Sequence, residues 1–97
     1  MAKGYWINMY RSVSNPDALA EYARLAGPAI QAGGGRFLVR GTPAKVAEQG
    51  IKERTVIIEF ESLEKAIATY QSPAYQAALK PLKGAAERDV RFMEGFA

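Results

Sequence analysis

The stretch Glu53–Glu61, with the sequence ERTVIIEFE, is the most strand-like segment of the 97-residue chain. Its central run Val56–Phe60 is β-branched or apolar on both faces of a strand, except for Glu59. A strand that is apolar on both faces has to be covered on both faces. We therefore expect this strand to lie in the middle of a sheet, and the remaining elements are assigned outward from it.

The N-terminal segment Lys3–Arg11 alternates with the period of two that is typical of a strand. Both of its faces carry aliphatic or aromatic groups, so it is predicted to be a second central strand. The alternation puts Tyr5, Ile7 and Met9 on one face and Trp6, Asn8 and Tyr10 on the other.

A helix is predicted to follow this strand. Asn15 is a good N-cap, Pro16 suits the first helical position and Asp17 complements the helix dipole. The pair Gly27-Pro28 is expected to bend the helix, because proline removes a backbone donor. The run Gly33–Gly35 ends it, and these glycines are interpreted as a helix C-cap rather than a phosphate loop.

Two segments lie between this helix and the central stretch. Arg36–Arg40 is predicted to be a strand, with Phe37 and Val39 on one face and Leu38 and Arg40 on the other. Ala44–Lys52 has no clear pattern and is predicted to be an irregular edge hairpin.

After the central stretch, Ser62 can cap a second helix with an apolar stripe that includes Tyr70. Ser72-Pro73 interrupts this helix and starts a further helical segment, Pro73–Ala86. Arg88–Glu94 is predicted to be the last strand, with Val90 and Phe92 opposite Arg91 and Met93.

The order β-α-β-β-α-β predicts an α+β, ferredoxin-like domain that spans residues 1–97. Its four-stranded antiparallel sheet would carry both helices on one face and leave the other face bare. Large bare apolar faces are rare on monomeric proteins. We therefore expect a second copy of the chain to cover this face. The product would be a homodimer with two sheets packed face to face, a dimeric α/β barrel.

The composition excludes several kinds of chemistry. The chain has no cysteine and no histidine, so it has no disulfide, no thiolate or imidazole metal ligand and no serine–histidine triad. We predict no metal site and no cofactor. Any chemistry has to use the remaining polar side chains.

Charge and hydropathy limit the partners. The net charge of +3 comes from residues scattered along the chain, whereas a nucleic-acid interface gathers its basic residues on one face. The central strand also lacks the glycines of RNA-recognition motifs, keeps only one of their aromatic residues and adds two acidic residues. No apolar run approaches about 18 residues, and Met1–Trp6 lacks the features of a signal peptide. We predict a cytoplasmic protein that binds neither nucleic acid nor a membrane.

Several strings resemble one known family, the domain-of-unknown-function family 1330. They are GGRFLVRG at 34–41, Arg54 with Val56–Phe60, then Ser62, Tyr70, Ser72-Pro73 with Tyr75-Gln76, and Met93–Gly95. Thr42 and Glu61 stand where the family pattern has glycine and proline.

The resemblance covers nearly the whole chain. It implies a ferredoxin-like fold in the dimeric α/β-barrel superfamily. Relatives there include cofactor-independent monooxygenases, muconolactone isomerase-like proteins and haem enzymes. The family itself has no settled activity, so the resemblance implies a fold and a dimer more than a function.

Glu59 is the first candidate for chemistry. A carboxylate inside an apolar strand is costly to bury unless it is paired. In a pocket, desolvation would raise its pKa and make it a candidate general base. The alternative is a structural ion pair with Arg40 or Arg54.

Arg40 and Arg54 lie on neighbouring predicted strands and could clamp a carboxylate or enolate. The alternative is a salt bridge at the surface or between subunits. Amphipathic side chains suitable for the walls of a small-molecule pocket are Trp6, Asn8, Tyr10, Tyr22, Tyr70 and Tyr75. For each ring, ordinary core and interface packing is the alternative. For Asn8, the alternative is a hydrogen bond that satisfies a backbone group.

Two functions follow from these residues. The first is a homodimeric small-molecule-binding protein, which would be a cofactor-independent enzyme acting on a small organic acid or aromatic if Glu59 is its base. The second is a non-enzymatic dimerisation or ligand-sensing module in which the same residues are structural.

Overall fold

The computed structural model describes residues 2–96, which form four strands and three helices. The strands are β1 (Gly4–Val13), β2 (Arg36–Gly41), β3 (Thr55–Phe60) and β4 (Ala86–Glu94). The helices are α1 (Pro16–Ala32), α2 (Leu63–Tyr70) and α3 (Pro73–Leu79), and a single 3-10 turn, Lys80–Leu82, follows α3.

The four strands form one antiparallel sheet in the order β2-β3-β1-β4. The two strands predicted to be central, β1 and β3, lie side by side in the middle. This confirms the predicted α+β, ferredoxin-like fold.

The residues predicted to begin and end the first helix do so in the structure. The Asn15 side-chain oxygen accepts a hydrogen bond of 3.2 Å from the backbone N–H of Ala18. Helix α1 continues through Pro28 without interruption and ends at Ala32, with Gly33 as its C-cap. Gly34 follows with φ of +95°, a conformation that favours glycine. The glycine run is therefore a helix terminus, as expected.

The core lies between the helices and one face of the sheet. Alternate residues of β1 and β3 face the helices and are at most 5% exposed, which confirms the predicted alternation. They are Trp6, Asn8, Tyr10, Val56, Ile58 and Phe60. Trp6 is fully buried and packs edge-on against Tyr75 of α3, with ring centroids 4.7 Å apart.

A β-bulge in β2 changes the predicted faces of that strand. Phe37 pairs with Ile58 and Val39 pairs with Ile57, so Leu38 is an extra residue without a partner. The predicted grouping of Phe37 with Val39 is therefore wrong. Arg40 shares the helix-covered face with Phe37, and its guanidinium lies 4.7 Å from the centroid of the Phe37 ring.

Two further predictions are corrected. The segment Ala44–Lys52 is an irregular loop with a turn and no strand, because Glu48 adopts a positive φ of 52° and the segment has no partner strand. The helix predicted over Pro73–Ala86 ends at Leu79, and Pro81 falls in the 3-10 turn behind it. Strand β4 consequently begins at Ala86, two residues earlier than predicted.

The face of the sheet away from the helices, here called the open face, carries apolar side chains. Tyr5, Ile7 and Ile57 on this face are partly buried. Val39 and Met93 on the same face are 46% and 52% exposed. Across residues 2–96, no helix is both long enough and apolar enough to span a bilayer.

Candidate functional site

A narrow groove lies between α1 and the helix-covered face of the sheet, on the side of β2. Its polar lining residues are Asn8, Tyr10, Tyr22, Arg40 and Arg54, and Phe37 of β2 together with apolar residues of α1 and β3 forms the rest of its wall. The centre of a water molecule can occupy about 30 Å³ of it. One ordered water needs roughly 10–15 Å³ by the same measure, so the groove accepts a molecule of a few atoms as it stands.

Asn8 presents hydrogen-bond donors to this groove. The indole N–H of Trp6 donates to Asn8 Oδ1 over 2.8 Å. An indole N–H can only donate, so this bond fixes which end of the amide is oxygen. Asn8 is 2% exposed, and its Nδ2 has no hydrogen-bond partner among residues 2–96. The amide N–H groups are therefore left to face the groove.

The two charged residues of the groove are both arginines. Neither Arg40 nor Arg54 forms a salt bridge within the described residues, and no acidic residue of that part lines the groove. Arg40 enters the groove through the bulge at Leu38, and Arg54 lies immediately before β3. The sequence predicts that these two side chains share a site, and both of them line this groove.

Behind the groove lies a buried cluster of tyrosines around one arginine. Arg88 of β4 donates to the hydroxyls of Tyr22 and Tyr75 over 3.2 Å each, and the two hydroxyls share a hydrogen bond of 2.7 Å. Burial raises the pKa of Tyr75, and burial also raises the pKa of Tyr10. These hydroxyls are therefore neutral at neutral pH.

Glu59 lies on the open face, on the opposite side of the sheet from the groove. It accepts hydrogen bonds of 2.9 Å from the Tyr5 hydroxyl and from Arg36. The Tyr5 hydrogen bond, followed by the charge of Arg36, lowers the pKa of Glu59 below its ordinary value. The condition for a general base, a pocket that raises the pKa, is not met here. The ion pair forms with Arg36 rather than with Arg40 or Arg54, because Arg36 is the cross-strand partner of Glu59.

The remaining predicted residues divide between the groove and the core behind it. Tyr22 lines the groove. Trp6 contacts it only through Asn8, and Tyr70 packs on Trp6 with ring centroids 5.4 Å apart, away from the groove. Arg88 was not predicted, although the sequence holds a signal for it. It is in phase with the inward-facing residues Val90 and Phe92, where an arginine is unusual.

The described residues hold no group of three or more acidic side chains placed to bind a metal ion. The polar set of the groove is instead suited to an anion: two guanidinium groups, an amide NH2 and two phenol hydroxyls.

The fold and its sheet order define the class, a ferredoxin-like α+β protein of the kind whose neighbours include dimeric members. The chain belongs to the family described as a domain of unknown function, DUF1330, whose model matches residues 3–96. The family resemblance drawn from the sequence is thereby confirmed. A search among curated proteins found no match.

Three solved structures illustrate the likeness. The methylated RPA0582 protein, known as a protein of unknown function from Rhodopseudomonas palustris, is 19% identical, with a TM-score of 0.75 over 99% of this chain and 82% of its own. A dimeric ferredoxin-like protein of unknown function from Thermobifida fusca is 16% identical, with a TM-score of 0.68 over 96% and 91% of the two chains.

The third structure is SnoaB, a cofactor-independent oxygenase from Streptomyces nogalater. It is 12% identical, with a TM-score of 0.64 over 94% of this chain and 90% of its own. At these identities the likeness shows a shared fold and nothing finer.

Proposed function

We propose that this protein binds a small organic anion in the groove between α1 and the sheet. Arg40 and Arg54 bind its carboxylate or enolate, Asn8 donates to the same end of the ligand, and the rings of Tyr10 and Tyr22 line the space beside it. The observation that supports the proposal is the absence of any acidic side chain opposite these two arginines in the described part of the chain. A groove with cationic donors and no acidic side chain of its own binds an anionic ligand more favourably than a neutral one.

The size of the groove favours a short ligand. Its present volume holds a few atoms, so a ring requires α1 to move away from the sheet. Pro28 lies in α1 beside the groove-lining Gly27 and lacks a backbone N–H, so one hydrogen bond of the helix is missing at this level. A helix weakened at this point widens the groove at lower cost than an intact one.

Binding rather than base catalysis is the function that these residues support best. Glu59 faces away from the groove, and no carboxylate among residues 2–96 lines it. A cofactor-independent reaction there, of the kind that SnoaB catalyses, would need a proton acceptor other than a carboxylate of these residues. The ligand-sensing module predicted as the alternative function uses the same groove without turnover.

We also propose that the protein is a homodimer joined through its open face. The apolar residues there, Ile7, Ile57, Val39 and Met93, are left without a covering layer by the helices. The Thermobifida fusca neighbour of the same fold is described as dimeric. Two sheets packed face to face would bury these side chains in both copies.

The ligand proposal is tested by calorimetric titration with acetate, propionate and benzoate, with benzamide as the neutral counterpart of benzoate. The wild-type protein should bind the carboxylates and not benzamide. Arg40→Gln should weaken carboxylate binding by about tenfold or more, since a hydrogen bond to a charged group is worth roughly 1.5–3 kcal/mol.

Arg36→Gln is the matched control, because Arg36 lies on the same strand but faces away from the groove. Equal losses in the two variants, or equal binding of benzamide and benzoate, would contradict an anion site in this groove.

A further inference from the structure

The Tyr22–Tyr75–Arg88 cluster holds one more hydroxyl hydrogen than the described residues can accept. Two phenol hydroxyls supply two hydrogens, and one of these lies in the bond between Tyr22 and Tyr75. Arg88 donates to both oxygens and accepts nothing. The second hydroxyl hydrogen therefore has no acceptor among residues 2–96.

The position of the two tyrosines decides which of them carries this surplus hydrogen. Tyr75 is fully buried, so an unused O–H there would cost about 1–3 kcal/mol. Tyr22 is 5% exposed and lines the groove, where a water or ligand oxygen can accept. The lower-energy arrangement has Tyr75 donating to Tyr22 and Tyr22 donating into the groove.

The charge behind Tyr22 strengthens this donor. Arg88 forms no salt bridge within the described residues, and its guanidinium carbon lies 5.2 Å from the Tyr22 ring centroid and 5.5 Å from that of Tyr10. A guanidinium without a carboxylate, surrounded by phenols, leaves a positive potential at the Tyr22 oxygen. A negative oxygen bound by Tyr22 is stabilised by that potential.

We propose that the Tyr22 hydroxyl donates a hydrogen bond to a phenolate or enolate oxygen of the ligand, and that Arg88 and Tyr75 are positioning residues that keep it donating into the groove. This rests on the proposed function and narrows the ligand class to small organic molecules with such an oxygen. The charge-assisted bond is the kind that discriminates between the anion and its neutral parent.

The experiment uses para-nitrophenol, whose phenolate absorbs visible light and whose neutral form does not. The protein is titrated with it across the pH range in which the free phenol ionises. The wild-type protein should bind the phenolate about tenfold or more tighter than the phenol, as expected for one hydrogen bond to a charged acceptor. Tyr22→Phe should lower the ratio of phenolate affinity to phenol affinity by about tenfold.

Two variants identify the source of the effect. Tyr75→Phe should reduce the preference by a smaller factor, because it removes a bond to Tyr22 and not the donor itself. Tyr70→Phe is the matched control, since Tyr70 packs in the same aromatic cluster but does not line the groove, and it should leave the preference unchanged. In wild-type protein with labelled tyrosine, the NMR signal of the Tyr22 phenol carbon should shift on phenolate addition, which keeps the test valid if Tyr22→Phe does not fold.

The possible failures are distinguishable. If the wild-type protein binds benzoate in an Arg40-dependent way but Tyr22→Phe keeps the full phenolate preference, or the Tyr22 signal does not move, this inference is overturned and the proposed function stands. If the wild-type protein binds acetate but not para-nitrophenolate, this inference alone is overturned. If it binds neither the carboxylates nor para-nitrophenolate, both are overturned.

Discussion

Asn8 is almost fully buried beside the groove, and Trp6 on the same strand face decides its chemistry. The indole takes the amide oxygen and leaves the two N–H groups without a protein partner. Tyr22 is in a comparable position, because Arg88 and Tyr75 occupy its acceptor sites. In both side chains the oxygen accepts hydrogen bonds from the protein, while the N–H or O–H groups remain available to a ligand in the groove.

The open mouth of the groove allows a steric test. Ala23 lines the groove on α1, and Ala20 lies one turn earlier on the same helix and does not. Ala23→Leu should lower acetate affinity by about tenfold, because the larger side chain keeps acetate from one charged donor and one charge-assisted hydrogen bond is lost. Both alanines are exposed, so leucine should change stability by no more than about 0.5 kcal/mol.

Ala20→Leu is the control in the same titration and should bind like the wild-type protein. Binding that Ala23→Leu leaves untouched would place the anion elsewhere.

Glu59 gives a pH prediction whose sign follows from its lowered pKa. A carboxyl with a pKa below its ordinary value of 4.5 in the folded protein stabilises the fold above that value and loses this contribution as the pH falls through the lowered pKa. Glu59→Gln should be less stable than the wild-type protein at pH values near neutrality, and the difference should disappear in acid.

Urea unfolding at neutral and acidic pH measures this difference. Glu61→Gln is the control, because Glu61 is exposed and pairs with Lys65 only one helical turn away, a kind of pair that contributes little. A Glu59→Gln deficit that persists unchanged in acid would show that the ion pair is not its cause.

The elements show which features the sequence can predict. The alternation of residues in β1 and β3 predicted which side chains share a face, because successive side chains of a regular strand point to opposite faces of the sheet. The bulge in β2 had no such signal: Leu38 is one apolar residue in an apolar run, and only pairing with β3 shows that it is extra. Arg40 was predicted as a ligand-binding residue because it lies near Arg54 on the next strand. Its face was predicted wrongly, since it shares the helix-covered face with Phe37 instead of lying opposite to it.

Deletion of Leu38 tests the role of this bulge. It should restore a regular ladder in which Phe37 stays opposite Ile58, Val39 opposite Ile57 and Arg40 opposite Val56, because Leu38 is the extra residue. Arg40 therefore keeps the helix-covered face, and the deletion variant should fold and bind carboxylates like the wild-type protein. A folded variant that loses carboxylate affinity as strongly as Arg40→Gln would show that Leu38 itself is needed to place Arg40 in the groove.

At the scale of the whole molecule, the helices cover one face of the sheet and the groove lies beneath them. The order of elements was sufficient to predict this division, since two β-α-β halves place their helices on one side. The donor set could not be predicted, because it depends on contacts such as Arg88 to Tyr22, which are 66 residues apart.

The proposed dimer is tested by placing a charge on the open face. Ile57→Lys should convert the protein to a monomer in sedimentation velocity, because a buried ammonium in each copy would lack a partner. Ile67→Lys is the control on the exposed side of α2, where Ile67 is already 37% exposed. A wild-type protein that sediments as a monomer at micromolar concentration would contradict the dimer directly.

The central claim, that the groove beneath α1 is an anion site, is tested most directly by NMR of the wild-type protein during titration with acetate. The side-chain amide signals of Asn8 and the guanidinium signals of Arg40 and Arg54 should shift together and saturate, while the signal of Arg36 stays in place. Shifts confined to Arg36 and its neighbours on the open face, or no saturable shift of the Asn8 amide, would contradict it.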